Sequence, residues 1–152
     1  MNEKKEPGEN LTRVVGAVIV NNEGNKILLG QRAATVSHPL KWEFFGGKVE
    51  PGESPEEALR REVLEETSLK ISVGKLLAIA EVDYRSLGKP SHQILFFEAR
   101  ILNGVAKLNS EIYHDVRWVD VKELANLDWI EADREFARKL AVSLTSLVPS
   151  RN

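Results

Sequence analysis

The amino-acid sequence predicts one domain of the α/β class. Its 152 residues are a common length for one domain and allow about two-thirds of the chain's surface to be buried on folding. Segments rich in Val, Ile, Leu and Phe, separated by turn residues, are typical of β-strands. Two further segments have the capping residues or the apolar spacing of α-helices.

The elements follow one another in a clear order. Residues 1–10 are polar, contain Pro and Gly, and predict a flexible tail before one domain at 11–150. The segment "NNEGN" is typical of a hairpin turn. Strands are predicted at 12–22, 26–32, 75–86, 92–102 and 114–121. The spacing of Phe136, Leu140, Leu144 and Leu147 predicts a closing helix over 131–147.

Composition excludes several classes of protein. The formal net charge of −2 gives no long-range attraction to nucleic acids or anionic membranes. Cysteine is absent, so disulfides, thiolate nucleophiles and cysteine-ligated zinc are excluded. No run of about 18 apolar residues is present, and the charged N-terminus lacks the apolar core of a signal peptide. We therefore expect a cytoplasmic monomer or homodimer without a stable nucleic-acid or membrane partner.

The stretch 46–69, "GGKVEPGESPEEALRREVLEETSL", contains seven glutamates. A helix is predicted to begin after Ser54, with Ser54 as N-cap, Pro55 at the first position and Glu57 completing a capping box. Glu57 also lies four residues before Arg61, a spacing that favours an exposed ion pair. Glu56 has the same relation to Arg60. The first glutamates of the helix therefore have structural explanations.

The last three glutamates of this helix do not. At about 100° per residue, Glu62, Glu65 and Glu66 fall within one arc, on the side that carries Leu59 and Val63 and packs on the domain. Unpaired charge there is costly, so a positive group is required. Glutamate and backbone carbonyl oxygens are ligands that Mg²⁺ and Mn²⁺ prefer, and Mg²⁺ suits a phosphate substrate.

The full pattern resembles the Nudix box. Gly47, five residues, Glu53, seven residues, then "REVLEE", one residue and Ser68-Leu69 match it, with serine where glycine is usual. The preceding "KWEFFGGKVEPGE" is similar to the MutT and CTP pyrophosphohydrolase branch, with Phe45 where proline is common. A weaker resemblance extends from about Val14 to Leu140.

The resemblance implies a Nudix fold, an α/β/α sandwich around a mixed sheet with the box as a loop-helix-loop. It implies that Glu62, Glu65 and Glu66 bind Mg²⁺ together with the Gly46 carbonyl, with Mn²⁺ as a substitute. The resemblance also implies that Arg61 holds the box glutamates in place and that Glu53 forms an ion pair with Arg61. It implies that Lys48 faces the phosphates.

Residues outside the box are assigned by the same resemblance. A loop carboxylate often takes part in catalysis, and Glu111 is the first candidate, with Asp115 second. Asp133, just before the final helix, corresponds to the Asn or Asp that contacts the base in similar enzymes. Phe44 and Trp129 are candidates to stack on the base. Arg32 is a candidate to contact a phosphate or the base.

The implied activity is hydrolysis of a nucleoside triphosphate to the monophosphate and pyrophosphate. CTP, dCTP and oxidised purine triphosphates such as 8-oxo-dGTP are the candidate substrates, in a housecleaning role. One alternative is hydrolysis of ADP-ribose, nucleotide sugars or dinucleoside polyphosphates. Another is a Nudix module that binds nucleotides without hydrolysing them.

Overall fold

The structure is a computed structural model that describes residues 11–147, so the predicted tail at 1–10 lies outside the described residues. Side chains are described as far as residue 143. Within residues 11–147, four strands precede the first α-helix and three more precede the second: β1 (Leu11–Val20), β2 (Lys26–Arg32), β3 (Trp42–Glu43), β4 (Phe45–Lys48), α1 (Pro55–Thr67), β5 (Lys70–Val82), β6 (Ser91–Asn103), β7 (Tyr113–Asp120) and α2 (Glu131–Leu147).

The strands form a mixed sheet, as predicted. Its main path runs β3-β2-β1-β6-β5, while β4 pairs with β1 and β7 pairs with β2. The β1–β6 pair is parallel, with Val15 opposite Leu95, and the other pairs are antiparallel. Strand β1 therefore lies at the centre, and short β4 is held against it just before α1.

Two apolar cores lie on opposite faces of the sheet. Successive side chains of β1 point to opposite faces. Val15, Ala17 and Ile19 accordingly join the core that also contains Leu59 and Val63 of α1. Val18 belongs instead to the core that contains Phe136 and Leu140 of α2. The predicted α/β/α sandwich is confirmed by this division.

The predicted start of α1 is also confirmed. The Ser54 hydroxyl accepts from the Glu57 amide at 3.1 Å, and Glu57 Oε1 accepts from the Ser54 amide at 2.8 Å, which completes the capping box. The predicted Glu57–Arg61 ion pair is wrong, because Glu57 caps the helix and Arg61 bonds to Glu53. Ser68 ends the helix in the left-handed conformation, with φ 67° and ψ 12°.

Strands were predicted less well around the box. Strands β3 and β4 are absent from the sequence-based prediction, because they have only two and four residues and β4 contains Gly46 and Gly47, which weaken the strand pattern. Strand β5 begins five residues earlier than predicted, at Lys70, and ends at Val82. It stops there because Asp83 Oδ1 accepts from the Arg85 amide at 2.9 Å, which turns the chain into a short 3-10 helix at Arg85–Leu87.

Replacing Ser68 by glycine is expected to stabilise the protein. A Cβ atom in the left-handed region costs about 1 kcal/mol, and glycine removes that cost. Urea denaturation should show a free energy of unfolding raised by about 1 kcal/mol, with a Tm a few degrees higher. Ser68→Ala retains the Cβ and is the control. Equal stability of the glycine and alanine variants would contradict the strain at this helix end.

Candidate active site

Arg61 is the centre of an ion-pair network on α1. Its guanidinium bonds to both oxygens of Glu53, at 2.6 Å and 3.0 Å. Its Nη1 reaches Glu62 at 3.1 Å and Glu65 at 3.4 Å, and its Nη2 donates to the Lys48 carbonyl at 3.0 Å. The bidentate pair holds the pKa of Glu53 down to about 2. One side chain thereby joins the turn before α1, the end of β4 and two of the box glutamates.

Glu62 and Glu66 lie against the backbone of β4. The Glu66 Oε1 accepts from the Gly46 amide at 3.1 Å. A Cβ atom at Gly47 would lie 2.5 Å from Oε2 of Glu62, so the glycine leaves the space that this carboxylate occupies. Burial, with the negative charges of Glu43 and Glu62, raises the pKa of Glu66 to about 9. Burial also raises the pKa of Glu62.

A fourth carboxylate, Glu43, joins this group and was missed by sequence analysis. Its Oε2 accepts from the Tyr113 hydroxyl at 2.9 Å and from Arg32 Nη1 at 3.2 Å. Burial nevertheless raises its pKa. The sequence feature that could have indicated Glu43 is a carboxylate between two aromatic residues in "KWEFF". A carboxylate in an apolar segment needs a polar or charged partner. Glu43 therefore belongs to the same electrostatic cluster as Glu66.

The donor set fits a divalent cation. Four carboxylates and the glycine backbone present only oxygen ligands, as Mg²⁺ and Mn²⁺ prefer. The pKa of Glu66 is raised by burial and by the neighbouring carboxylates, so a bound cation would favour its charged form. Among the described residues, no three acidic or histidine side chains surround a common point. In this conformation Glu62 and Glu65 are bonded to Arg61, and Glu66 to the Gly46 amide.

A cleft opens on the other side of the Gly46-Gly47 backbone. Its inner part has a volume of 270 Å³ and contains Asp133 and Glu43, and its outer part has a volume of 640 Å³ and contains Lys48. The outer volume is within the range of small-molecule sites, and the inner volume is slightly below it. Five residues line both parts: His38, Tyr84, His92, Ile130 and Ala132. We call this space the central cleft.

Arg32 organises one wall of the central cleft. Its Nε and Nη2 donate to the carbonyl and hydroxyl of Ser37 at 2.6 Å and 3.0 Å, while its Nη1 donates to Glu43. The next residues, His38 and Leu40, have left-handed backbone angles, with φ of 51° and 62°. All three guanidinium nitrogens are thus engaged within the protein, so Arg32 shapes the wall rather than presenting a free group to a phosphate.

Asp133 lies at the inner end of the central cleft, within the first turn of α2. It is only 9% exposed, and its Oδ2 accepts from the Phe44 amide at 3.0 Å. Burial raises the pKa of Asp133 to about 7, and this hydrogen bond offsets part of the increase. The carboxyl group can therefore act as an acceptor or, when protonated, as a donor toward a ligand.

The two predicted stacking residues lie in the core. Phe44 is 5% exposed and Trp129 is 1% exposed, and their rings stack on each other at 4.9 Å. The Trp129 indole nitrogen donates to the Leu124 carbonyl at 2.6 Å. The structure therefore contradicts the prediction that Trp129 stacks on a base, because its ring has no open face. Phe44 is one of the residues that line the cleft, and its backbone amide donates to Asp133 and orients that carboxyl group.

The remaining candidates for the site are Glu111, Asp115 and Lys48. Glu111 is exposed in a turn where its amide donates to Asn109 Oδ1, and Asp115 pairs with Arg117 at 2.6 Å. In the described part of the chain, no hydrogen bond or ion pair joins either carboxylate to the box glutamates. Lys48 is exposed beside the outer part of the central cleft, where its ammonium group is accessible to an anionic ligand.

Asp133→Asn is expected to change how stability depends on pH. Because its folded-state pKa is raised above the ordinary value of about 3.9, the buried carboxyl favours folding when protonated, and this contribution is lost as pH rises through about 7. The variant should therefore gain about 2 kcal/mol in free energy of unfolding relative to the wild type at pH 8, and much less at pH 5. Urea denaturation in EDTA at both values measures the difference. The same gain at both pH values would contradict the raised pKa.

Comparison with known proteins assigns the family. A family model described as the NUDIX domain matches residues 10–140. The chain is 48% identical over 64 residues to the CTP pyrophosphohydrolase of Escherichia coli (strain K12), a match that covers 42% of this chain and 47% of that enzyme. It is 30% identical over 130 residues to the nucleoside triphosphatase NudI of Enterobacter sp. (strain 638), covering 80% of this chain and 92% of that protein.

A solved structure agrees with these matches. The crystal structure of a MutT protein from Methanosarcina mazei Go1 superposes with a TM-score of 0.72 and 25% identity, covering 88% of this chain and 94% of that one. The fold, the box residues and the family match are consistent with one another. The chain belongs to the NUDIX family of hydrolases.

Proposed function

We propose that this protein is a Mg²⁺-dependent nucleoside triphosphate diphosphatase, which converts a nucleoside triphosphate to the monophosphate and pyrophosphate. The observation that carries the proposal is a carboxylate cluster beside the Gly46-Gly47 wall of a cleft that contains Asp133; within the cluster Glu43, Glu62 and Glu66 are largely buried, whereas Glu65 is exposed. The cluster is formed by Glu43, Glu62, Glu65 and Glu66. A triphosphate needs cation ligands at one end and base contacts at the other, and Glu43 links the two because it belongs to the cluster and also lines the cleft.

We assign different roles in hydrolysis to the residues of the cluster and its surroundings. Mg²⁺, with Mn²⁺ as a substitute, neutralises the phosphates and lowers the pKa of a water molecule when bound. Glu62, Glu65 and Glu66 are the proposed ligands, with the Gly46 carbonyl. Arg61 keeps Glu62 and Glu65 in place through bonds of 3.1 Å and 3.4 Å. Lys48, at the mouth of the cleft, contacts the phosphates electrostatically.

The reaction itself is a displacement at phosphorus. A water oxygen forms a bond to the β-phosphorus, the bond from that phosphorus to the bridging α-oxygen breaks, and a carboxylate of the cluster accepts the water proton. Glu111, with Asp115 second, is proposed as a further carboxylate in this step. The products are a nucleoside monophosphate and pyrophosphate. Orientation of the water and the phosphates is the contribution of the protein.

Asp133 is proposed to select the base. Its carboxylate can accept from the exocyclic amine of cytosine, or from the amino and imino groups of guanine. These contacts support CTP, dCTP and oxidised purine triphosphates such as 8-oxo-dGTP as substrates. The similarity to a CTP pyrophosphohydrolase favours the cytosine nucleotides. Because the Phe44 amide holds Oδ2, the other oxygen of Asp133 is the one left for the base.

The proposed cellular setting follows from the substrate. A nucleotide-pool enzyme works in the cytoplasm on a small molecule, as a monomer or homodimer, without a stable nucleic-acid or membrane partner. Within residues 11–147, no helix has both the length and the apolar character needed to cross a membrane.

Neutralising the box carboxylates is expected to abolish turnover. Glu65→Gln and Glu66→Gln preserve side-chain shape but remove a negative charge, so kcat should fall by at least about 100-fold. Pyrophosphate release measures the loss, and circular dichroism should show an unchanged fold. Glu56→Gln, on the exposed face of the same helix, is the matched control and should retain full activity. Activity in the two site variants equal to that of the control would contradict the proposed cluster.

A substrate panel tests the reaction as a whole. Canonical and 8-oxo nucleoside triphosphates, ADP-ribose, nucleotide sugars and dinucleoside polyphosphates are incubated with Mg²⁺, and the products are separated. A monophosphate plus pyrophosphate supports the proposal. Two phosphorylated organic products would instead establish the alternative substrates, and tight nucleotide binding without hydrolysis would establish a binding module.

A further inference from the structure

The buried tyrosine of β7 makes a polar contact that packing alone does not require. Tyr113 is 2% exposed, and its ring meets Phe45 edge to face at 5.2 Å within the α1-side core. A phenylalanine would fill the same space. The hydroxyl, however, donates to Glu43 Oε2 at 2.9 Å, so it extends from an apolar core to a carboxylate that lines the central cleft.

A β-bulge turns Tyr113 toward this carboxylate. On β7, Val116 lies opposite Gly30 and Asp115 lies opposite Gln31, but Tyr113 lies opposite Arg32, so the register shifts by one residue at His114. Residues three apart on a regular strand face opposite sides of a sheet. Val116 and Tyr113 nevertheless both pack in the α1-side core. The bulge therefore places the tyrosine on the face that carries Arg32 and Glu43.

The absence of a side chain at Gly30 leaves room for the Tyr113 ring to reach Glu43. Gly30 lies on β2 opposite Glu43 of β3, and β2 separates β3 from β7. A Cβ atom at Gly30 would lie only 2.7 Å from Cε1 of Tyr113. The tyrosine ring therefore crosses β2 in the space that glycine leaves. Bulge and glycine are two independent features of the backbone, and both serve the same hydroxyl contact.

The carboxylate that receives this bond is well placed to affect the reaction. Tyr113 and Arg32 both donate to Oε2 of Glu43, and within residues 11–147 the hydrogen bonds of this carboxylate all involve Oε2. Oε1 is left as an acceptor for a water molecule or a substrate group in the cleft. Three residues later, the Gly46 amide holds Glu66. A displaced Glu43 would therefore disturb both the cleft wall and the strand that positions Glu66.

We propose that Tyr113 is a positioning residue of the hydrolytic centre, whose hydroxyl fixes the orientation of the Glu43 carboxylate at the wall between the central cleft and the box glutamates. The inference rests on the proposed hydrolytic function. It assigns Tyr113 no contact with the substrate, so the residue acts only through Glu43.

A double-mutant cycle tests this inference. Tyr113→Phe removes only the hydroxyl, and kcat for pyrophosphate release should fall about tenfold, the scale of one hydrogen bond to a charged group, with KM within about twofold of the wild-type value. Glu43→Gln should lower kcat at least as much. The double variant should match Glu43→Gln, because the hydroxyl acts through that carboxylate. Val121→Ala, in the opposite core, is the control for lost stability and should retain full kcat below its Tm.

Binding of Mn²⁺ alone, measured by calorimetry, gives a second readout. Tyr113→Phe should weaken Mn²⁺ binding about threefold, again with no further loss in the Glu43→Gln background. In an active enzyme, a Tyr113→Phe variant with wild-type kcat, or losses that multiply in the double variant, would overturn the inference. If the wild type hydrolyses no triphosphate, the proposed function fails and Mn²⁺ binding alone tests the role of Tyr113. Unchanged Mn²⁺ affinity in Tyr113→Phe, or losses of affinity that multiply in the double variant, would overturn that role. A loss of affinity in Tyr113→Phe that does not add to the loss in Glu43→Gln supports it.

Discussion

The rest of the site depends on the bidentate ion pair between Arg61 and Glu53. Glu53 lies in the turn before α1 and Arg61 lies two turns into the helix, so the pair fixes the helix relative to the chain that enters it. The same guanidinium then bonds to the end of β4 and to two glutamates that would otherwise repel each other. Helix, strand and carboxylates are thereby held in one arrangement by a single planar cation.

The glutamates of the site differ because their surroundings differ. Glu53 has a lowered pKa because it shares two hydrogen bonds with a cation, whereas Glu66 has a raised pKa because it is buried among other carboxylates. The first is a permanent anion suited to holding an arginine. The second lies where burial and the neighbouring carboxylates disfavour its charged form. Glutamates in one helix and in the turn before it therefore have different roles: Glu53 anchors Arg61, whereas Glu66 belongs to the carboxylate cluster.

Sequence patterns predicted the parts of the structure that depend on local interactions. Ser54, Pro55 and Glu57 determine a helix start among neighbouring residues, and helical periodicity alone places Glu62, Glu65 and Glu66 on one arc. The Nudix resemblance supplied the Arg61–Glu53 pair and the fold, both of which the structure contains.

Contacts between distant segments could not be predicted in this way. Glu43 and Tyr113 are 70 residues apart and meet only because a bulge and a glycine align them across β2. Trp129 gave the same signal as a stacking residue would, since an aromatic side chain in a short polar segment can be either buried or exposed. Its position became clear only from the partner ring and the carbonyl that it contacts.

The wall between the central cleft and the glutamates is built from main chain, at Gly46 and Gly47, rather than from side chains. Side chains that only line the cleft, such as Tyr84 and His92, can therefore change without a direct effect on Glu62 or Glu66. Asp133 and Glu43 differ from them, because Asp133 bonds to the Phe44 amide directly before β4 and, besides burial, the charge of Glu43 raises the pKa of Glu66. The shape of the cleft can thus change at side chains such as Tyr84 and His92 while the main-chain wall is kept.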